Sequence, residues 1–246
     1  MASAATQPDT DDAEAILCES CGYRLAGLET GGDCPECGEP ASASAPDRRT
    51  GPAWERRPSA GAWVETAWAV ATRPRPTFRA LRLGGSAVRA RVYLLSIAVL
   101  CVLNPATLMG LAAGDPRWVA GGLLAVKLVL VLTYLEALGL VLIGRQRGWR
   151  LPFARAERVV AYAATGWLVG LPLAWGLAVL FALTTAVGGG RVALNLPVLG
   201  LVDPPPGFWL ACGAGAFAVV AMPFELLAYL GARRCQYANT APSTSH

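Results

Sequence analysis

The sequence has one histidine, His246, its last residue, and one lysine, Lys127. With no histidine inside the chain to act as a general base or a metal ligand, most histidine-based catalysis and histidine-ligated metal chemistry is excluded. Charge is scarce as well. Only 15% of residues are charged, whereas soluble domains average about 25%. There is no phosphate loop, no intramembrane aspartate pair and no nucleophile motif. Cys101 and Cys212 fall in apolar runs, where thiols are inert. No enzyme is expected. The acidic N-terminus lacks an apolar run, so no signal peptide is expected there.

What the chain does have is apolar length. Four runs, 92–113, 118–143, 159–187 and 208–231, are each long enough to cross a bilayer, whose core of about 30 Å takes about 20 helical residues. None carries the polar stripe of a soluble helix. The expected fold is a mainly α membrane protein, a four-helix transmembrane bundle with a small N-terminal four-cysteine zinc ribbon. Its parts are a disordered start (1–15), the ribbon (16–40), a flexible linker (41–58), interfacial amphipathic helices (59–91), the bundle (92–231) and a disordered cytoplasmic tail (232–246).

The ribbon rests on Cys18, Cys21, Cys34 and Cys37, spaced C-x2-C-x12-C-x2-C. Two residues between cysteines let one tight turn aim both sulfurs at one ion, and Gly22 and Gly38 follow each second cysteine. Residues 16–40 have few large apolar side chains, so a bound ion has to supply the folding free energy. One structural Zn2+ is expected. Two disulfides or a rubredoxin-like iron site would use the same four residues.

Charge is unevenly distributed. Residues 1–40 hold nine carboxylates against Arg24 alone, and the remainder holds 20 basic and eight acidic residues. An acidic ribbon repels phosphate backbones, so no nucleic acid is expected as a partner. The linker interleaves Pro40, Pro46, Pro52 and Pro58 with Ala and Ser, and its arginines suit anionic lipid. Ser59 is placed to cap a helix over 60–72, with Trp63 and Trp68 as interfacial anchors. The run Arg73-Pro74-Arg75-Pro76 is expected to break it before a second helix over 77–83. Thirteen arginines lie on one side of the four runs and two, Arg117 and Arg191, on the other. The positive-inside rule then places both termini in the cytoplasm, a reducing space that favours thiolates over disulfides.

Polar residues within the runs are Lys127, Glu136, Glu225 and Asn104. Intramembrane charge is costly and marks structure or a transport path. Lys127 can snorkel to the outer face. Glu136 and Glu225 lie at similar depth near the cytoplasmic side, with Arg145, Arg158, Arg234 and Tyr162 as candidate partners. Asn104-Pro105 can kink the first run. Gly166, Gly170, Ala174 and Ala178 recur every four residues, a spacing that lets helix backbones approach within the bundle or in a homodimer.

The segment Cys18-x-x-Cys21-Gly22-Tyr23-x-Leu25-x-Gly27-Leu28, with Cys34-Pro35-Glu36-Cys37-Gly38, resembles the zinc ribbon that begins many bacterial membrane proteins. Such ribbons act as binding or scaffold modules. Arg73-Pro74-Arg75-Pro76-Thr77-Phe78-Arg79-Ala80-Leu81 and Arg158-Val159-Val160-Ala161-Tyr162-Ala163 resemble segments of the Yip family of multi-span proteins, over about residues 63–231. Eukaryotic members of that family are linked to vesicle trafficking and small GTPases. The expected function is a non-enzymatic adaptor in the bacterial inner membrane, its head recruiting a cytoplasmic protein. The alternative is a small transporter or channel component using Glu136 and Glu225.

Overall fold

A computed structural model describes residues 15–28, 31–84, 86–102, 110, 112, 114, 116–173, 176 and 206–239. Among them the chain is mostly helical and has no strand. Asn104, Ala174 and Ala178 lie outside the described residues.

The helices are α1 (Ala53–Arg56), α2 (Ala60–Thr72), α3 (Pro74–Arg79), α4 (Val88–Val102), α5 (Pro116–Gln146), α6 (Phe153–Ala163), α7 (described over 165–173) and α8 (Pro206–Cys235). α6 is the hub. Every residue from Ala156 to Ala163 is buried, and α4, α5 and α8 all pack on it. α3 packs on α8, and α2 packs on α1 and α3. The core between them joins Tyr93 and Ile97 of α4, Ala137 and Leu140 of α5, Val159 to Ala163 of α6, and Phe224 and Ala228 of α8.

α5 has an inverted surface. Thr133, Ala137 and Leu140 turn inward, while Leu124, Leu128, Leu135, Leu138 and Leu142 are exposed. Among the described residues, its stretch Gly122–Gln146 is the one helix long and apolar enough to cross a membrane, a weak sign of membrane association.

Helix starts follow local chemistry. Ser59 Oγ accepts the Ala62 N–H at 3.1 Å and opens α2. The Arg-Pro-Arg-Pro run does end α2, at Arg73, but the second helix begins at Pro74 and not at Thr77. The run itself starts α3, because a proline in the first turn gives up only an N–H that would have no partner there. Trp63, expected at the membrane interface, turns inward onto α4. Its Nε1–H donates to Ser96 Oγ at 2.7 Å and its ring lies 5.6 Å from that of Tyr93, whereas Trp68 is exposed.

Two more expectations are corrected. Where a flexible linker is expected, 3-10 turns form over Ala41–Ser44 and Pro46–Arg48, followed by α1, and Ser44, Arg49, Ala53 and Glu55 are buried. Where a disordered tail is expected after 231, α8 continues to Cys235, and Ala232, Cys235, Gln236, Ala238 and Asn239 are buried. In both cases polar side chains that sequence composition assigns to solvent find long-range partners, described next.

Candidate metal centre

Each cysteine pair sits on the same backbone turn. The Gly22 N–H donates to the Cys18 carbonyl and the Gly38 N–H to the Cys34 carbonyl, both at 2.8 Å. Cys18 N–H donates to Tyr23 O at 2.7 Å, and Cys34 N–H to Glu39 O at 2.8 Å. Isolated bridges Leu17–Arg24 and Asp33–Pro40 close the two turns. One knuckle is thus repeated after 16 residues. Gly22 (φ +85°) and Gly38 (φ +70°) hold left-handed conformations that disfavour any residue with a Cβ.

The repeat brings four sulfurs together. Cys18 Sγ lies 3.5 Å from Cys37 Sγ, Cys21 Sγ lies 3.6 Å from Cys34 Sγ, and all four lie within 4.8 Å of one another. These separations exclude disulfides, which need about 2.05 Å. They are close to the edge of about 3.8 Å expected for a tetrahedron of thiolates about 2.3 Å from one ion. Cys18, Cys21, Cys34 and Cys37 can therefore hold a metal ion. Burial pushes the Cys34 thiol up, but the Cys37 and Glu36 amides and the neighbouring thiols bring it down to about 7. Burial, followed by hydrogen bonding from the other thiols, raises Cys21 to about 12. A cation bound by the four sulfurs would displace the protons of the thiols that ligate it.

The knuckles are docked on the helices and not tethered to them. Arg49 spans the junction: Nε and Nη2 donate to both Glu19 carboxylate oxygens at 2.9 and 2.8 Å. Its Nη1 reaches Leu81 O at 3.2 Å, and its Nη2 reaches Arg234 O at 3.2 Å. Both partners of the pair are buried. Asn239, in the supposed tail, completes the clamp. Its Nδ2 donates to Leu17 O and Ser44 O at 2.7 and 2.8 Å, its Oδ1 accepts from Leu17 N–H, and its own N–H donates to Glu19. Gly22 packs so closely on the Tyr237 ring that a Cβ there would lie 2.9 Å from it. Arg79 pairs with Glu39 of the second knuckle.

Neither Arg49 nor Asn239 stands out in the sequence as a functional residue. The only available signal was the split between an acidic first 40 residues and a basic remainder, which is here an interface. Other arginines reinforce the same end of the helices. Arg150 Nη1 donates to Ala15 O, Arg155 Nη1 to Ala238 O, and Arg158 Nη1 to Arg82 O and Gly84 O.

The polar residues of the apolar runs are placed as follows. Lys127 is exposed on α5. Glu136 of α5 and Glu225 of α8 lie close enough for their carboxyls to interact, where the sequence suggested arginines or a tyrosine as partners. Tyr162 instead donates to Glu55 at 3.1 Å, and Arg158 is committed to the carbonyls above, because both face α1 and the loop after α3. Gly166 and Gly170 lie against α8. A Cβ at Gly166 would come within 2.3 Å of Phe224 N, and one at Gly170 within 2.0 Å of Val220 O. No protein-family model, curated protein or solved structure matches the chain.

Proposed function

We propose that this protein is a non-enzymatic membrane adaptor. Four helical spans, over 92–113, 118–143, 159–187 and 208–231, anchor a cytoplasmic platform made of the cysteine knuckles and the arginine-rich helix ends. A single Zn2+ holds the knuckles. Four thiolates close its coordination shell, which leaves no position for a substrate and makes the metal structural. Membrane insertion is supported by the exposed leucines of α5, an outward apolar face that water would disfavour over a length of about 37 Å. Adaptor function is supported most by one observation. After docking, the knuckles still expose Ile16, Tyr23 and Leu28, large apolar side chains in a unit too small to spare them. The bound partner is a cytoplasmic protein that covers them.

The test is in-cell crosslinking of the intact chain beside a Tyr23→Ser, Leu28→Ser double variant, with alkaline carbonate extraction of both. A partner captured by the intact chain alone, with both chains staying in the membrane pellet, is the expected result. Equal capture by both, or release of the intact chain by carbonate, overturns the reading. Cysteine variants are less informative here, because losing the metal also undocks Glu19 from Arg49.

A second reading is favoured by the Glu136–Glu225 contact. Two neighbouring carboxyls on helices that each pack on α6 make a site for a proton or a cation. A Glu136→Gln change that alters ion flux into liposomes supports transport. Absence of flux by the intact chain under any imposed gradient removes it.

A further inference from the structure

A cavity of about 320 Å³ opens where the first knuckle, α3 and the end of α8 meet. Its wall takes Glu19 and Ser20 from between two metal-site cysteines, Arg75 and Arg79 from α3, and Arg233 and Arg234 from the last turn of α8. Charge in it is unbalanced. Glu19 is committed to Arg49, and Arg79 to Glu39. Among the described residues, Arg75, Arg233 and Arg234 have no carboxylate partner, so three arginines without a counter-ion line one opening.

A second observation points to a ligand. Gln236 lines the same cavity and is 6% exposed, and its Oε1, itself closed to solvent, has no hydrogen-bond partner among the described residues. Leaving a buried amide oxygen unpaired is costly. The amide can present either its oxygen or its NH2 by a flip, so it can accept from a hydroxyl or donate to an anion. Tyr229 and Leu230, one turn back along α8, complete a mixed polar and apolar rim.

We propose that this cavity binds a phosphate group, the chemistry shared by an anionic phospholipid headgroup and free phosphate. Planar guanidinium forks match phosphate oxygens bidentately, and three of them on two helices fix its position. The hydroxyls of Ser20 and Tyr229 and the Gln236 amide read the groups attached to it. A basic pocket at the cytoplasmic end of membrane helices lies at headgroup depth. That depth rests on the membrane reading above, whereas phosphate recognition does not. Ser20 and Glu19 sit within the Cys18–Cys21 turn, so one wall of the pocket exists only while the metal holds that turn.

The experiment uses the zinc-loaded full chain in phosphatidylcholine nanodiscs, with and without phosphatidylglycerol, and inorganic phosphate as the soluble probe. Native mass spectrometry counts retained phosphatidylglycerol, and thermal unfolding reports phosphate binding. One retained phosphatidylglycerol per chain is expected. Arg233→Gln with Arg234→Gln should weaken retention about thirtyfold. Exposed Arg75→Glu, a change with little to disturb in the fold, should weaken it as well. Arg56→Gln with Arg57→Gln, an equal loss of charge outside the cavity, should leave it unchanged. Retention that millimolar phosphate does not displace identifies the lipid as the source. Phosphate-induced stabilisation without lipid retention identifies free phosphate. Equal loss in the Arg56, Arg57 control, or neither ligand binding the intact chain, overturns the proposal. If carbonate releases a chain that still binds phosphate, the membrane reading falls and the site stands.

Discussion

Arg49 is the residue on which the most contacts converge. It joins both oxygens of Glu19 and carbonyls of α3, the loop after it and α8, in a place where neither charge reaches water. Removing one partner of a buried pair strands the other. Arg49→Met should therefore cost about 3–5 kcal/mol, and adding Glu19→Gln should recover part of it. Thermal unfolding followed by tryptophan fluorescence checks this, and equal stability of Arg49→Met and the intact chain would contradict the clamp. Two buried glutamates titrate in opposite senses. Hydrogen bonding to Arg91 holds the Glu157 carboxyl below the usual range. Its contribution is complete above the ordinary carboxylate pKa of about 4.3 and is lost as pH falls through the lower folded value. Burial raises Glu55, despite the Tyr162 hydroxyl and the nearby Arg158 and Arg82. Glu55 thus favours the fold most below about pH 4.3, and that advantage is lost as pH rises to its raised folded pKa. Glu157→Gln should flatten the acid limb of a stability profile, and Glu55→Gln the limb above it.

At the scale of elements, the contact between α7 and α8 depends on side chains that are absent. A Cβ at Gly166 or Gly170 would overlap the α8 backbone, and neither helix can yield without moving the Trp167–Phe224 stack beside it. Gly166→Ala and Gly170→Ala should each destabilise by about 1–3 kcal/mol or more, seen as a lower unfolding midpoint in detergent. Gly231→Ala should act similarly, since its Cβ would meet Val159 and the Phe78 ring. The four-residue spacing of small residues made Gly166 and Gly170 legible in the sequence. Gly231 was not, because its neighbours come from α3 and α6, far away along the chain. The same distinction separates the helix starts. Ser59 announces α2 through a bond three residues away, whereas Trp63 turns inward because of Ser96 and Tyr93 on another helix.

At the scale of the molecule, the metal site and the helical body are coupled. Cys18 and Cys21 bracket Glu19, and Glu19 holds Arg49 and Asn239. Chelation should therefore do more than unfold 25 residues. It should release the clamp, so that protease cuts appear between 16 and 50 and near Asn239 together. Acid should have the same effect, because protons compete with the ion for the thiolates, and metal affinity falls as pH falls. Elemental analysis should find one ion per chain, lost together with the protection from protease. Metal loss that leaves the region near Asn239 protected would show that the two parts are independent.

The sequence alone determined what depends on spacing along the chain. Two cysteines with two residues between them, followed by glycine, form a knuckle through bonds between residues four and five apart. The apolar runs and the Ser59 cap are equally local. The tertiary structure decided whether the head is tethered or docked, and what each buried polar group bonds to. Glu19 and Arg49 are 30 residues apart, Leu17 and Asn239 are 222, and Glu136 finds Glu225 across two helices. Seen in isolation, each of these is a polar group with no partner nearby in sequence. Only the fold, by excluding water from them together, makes them partners.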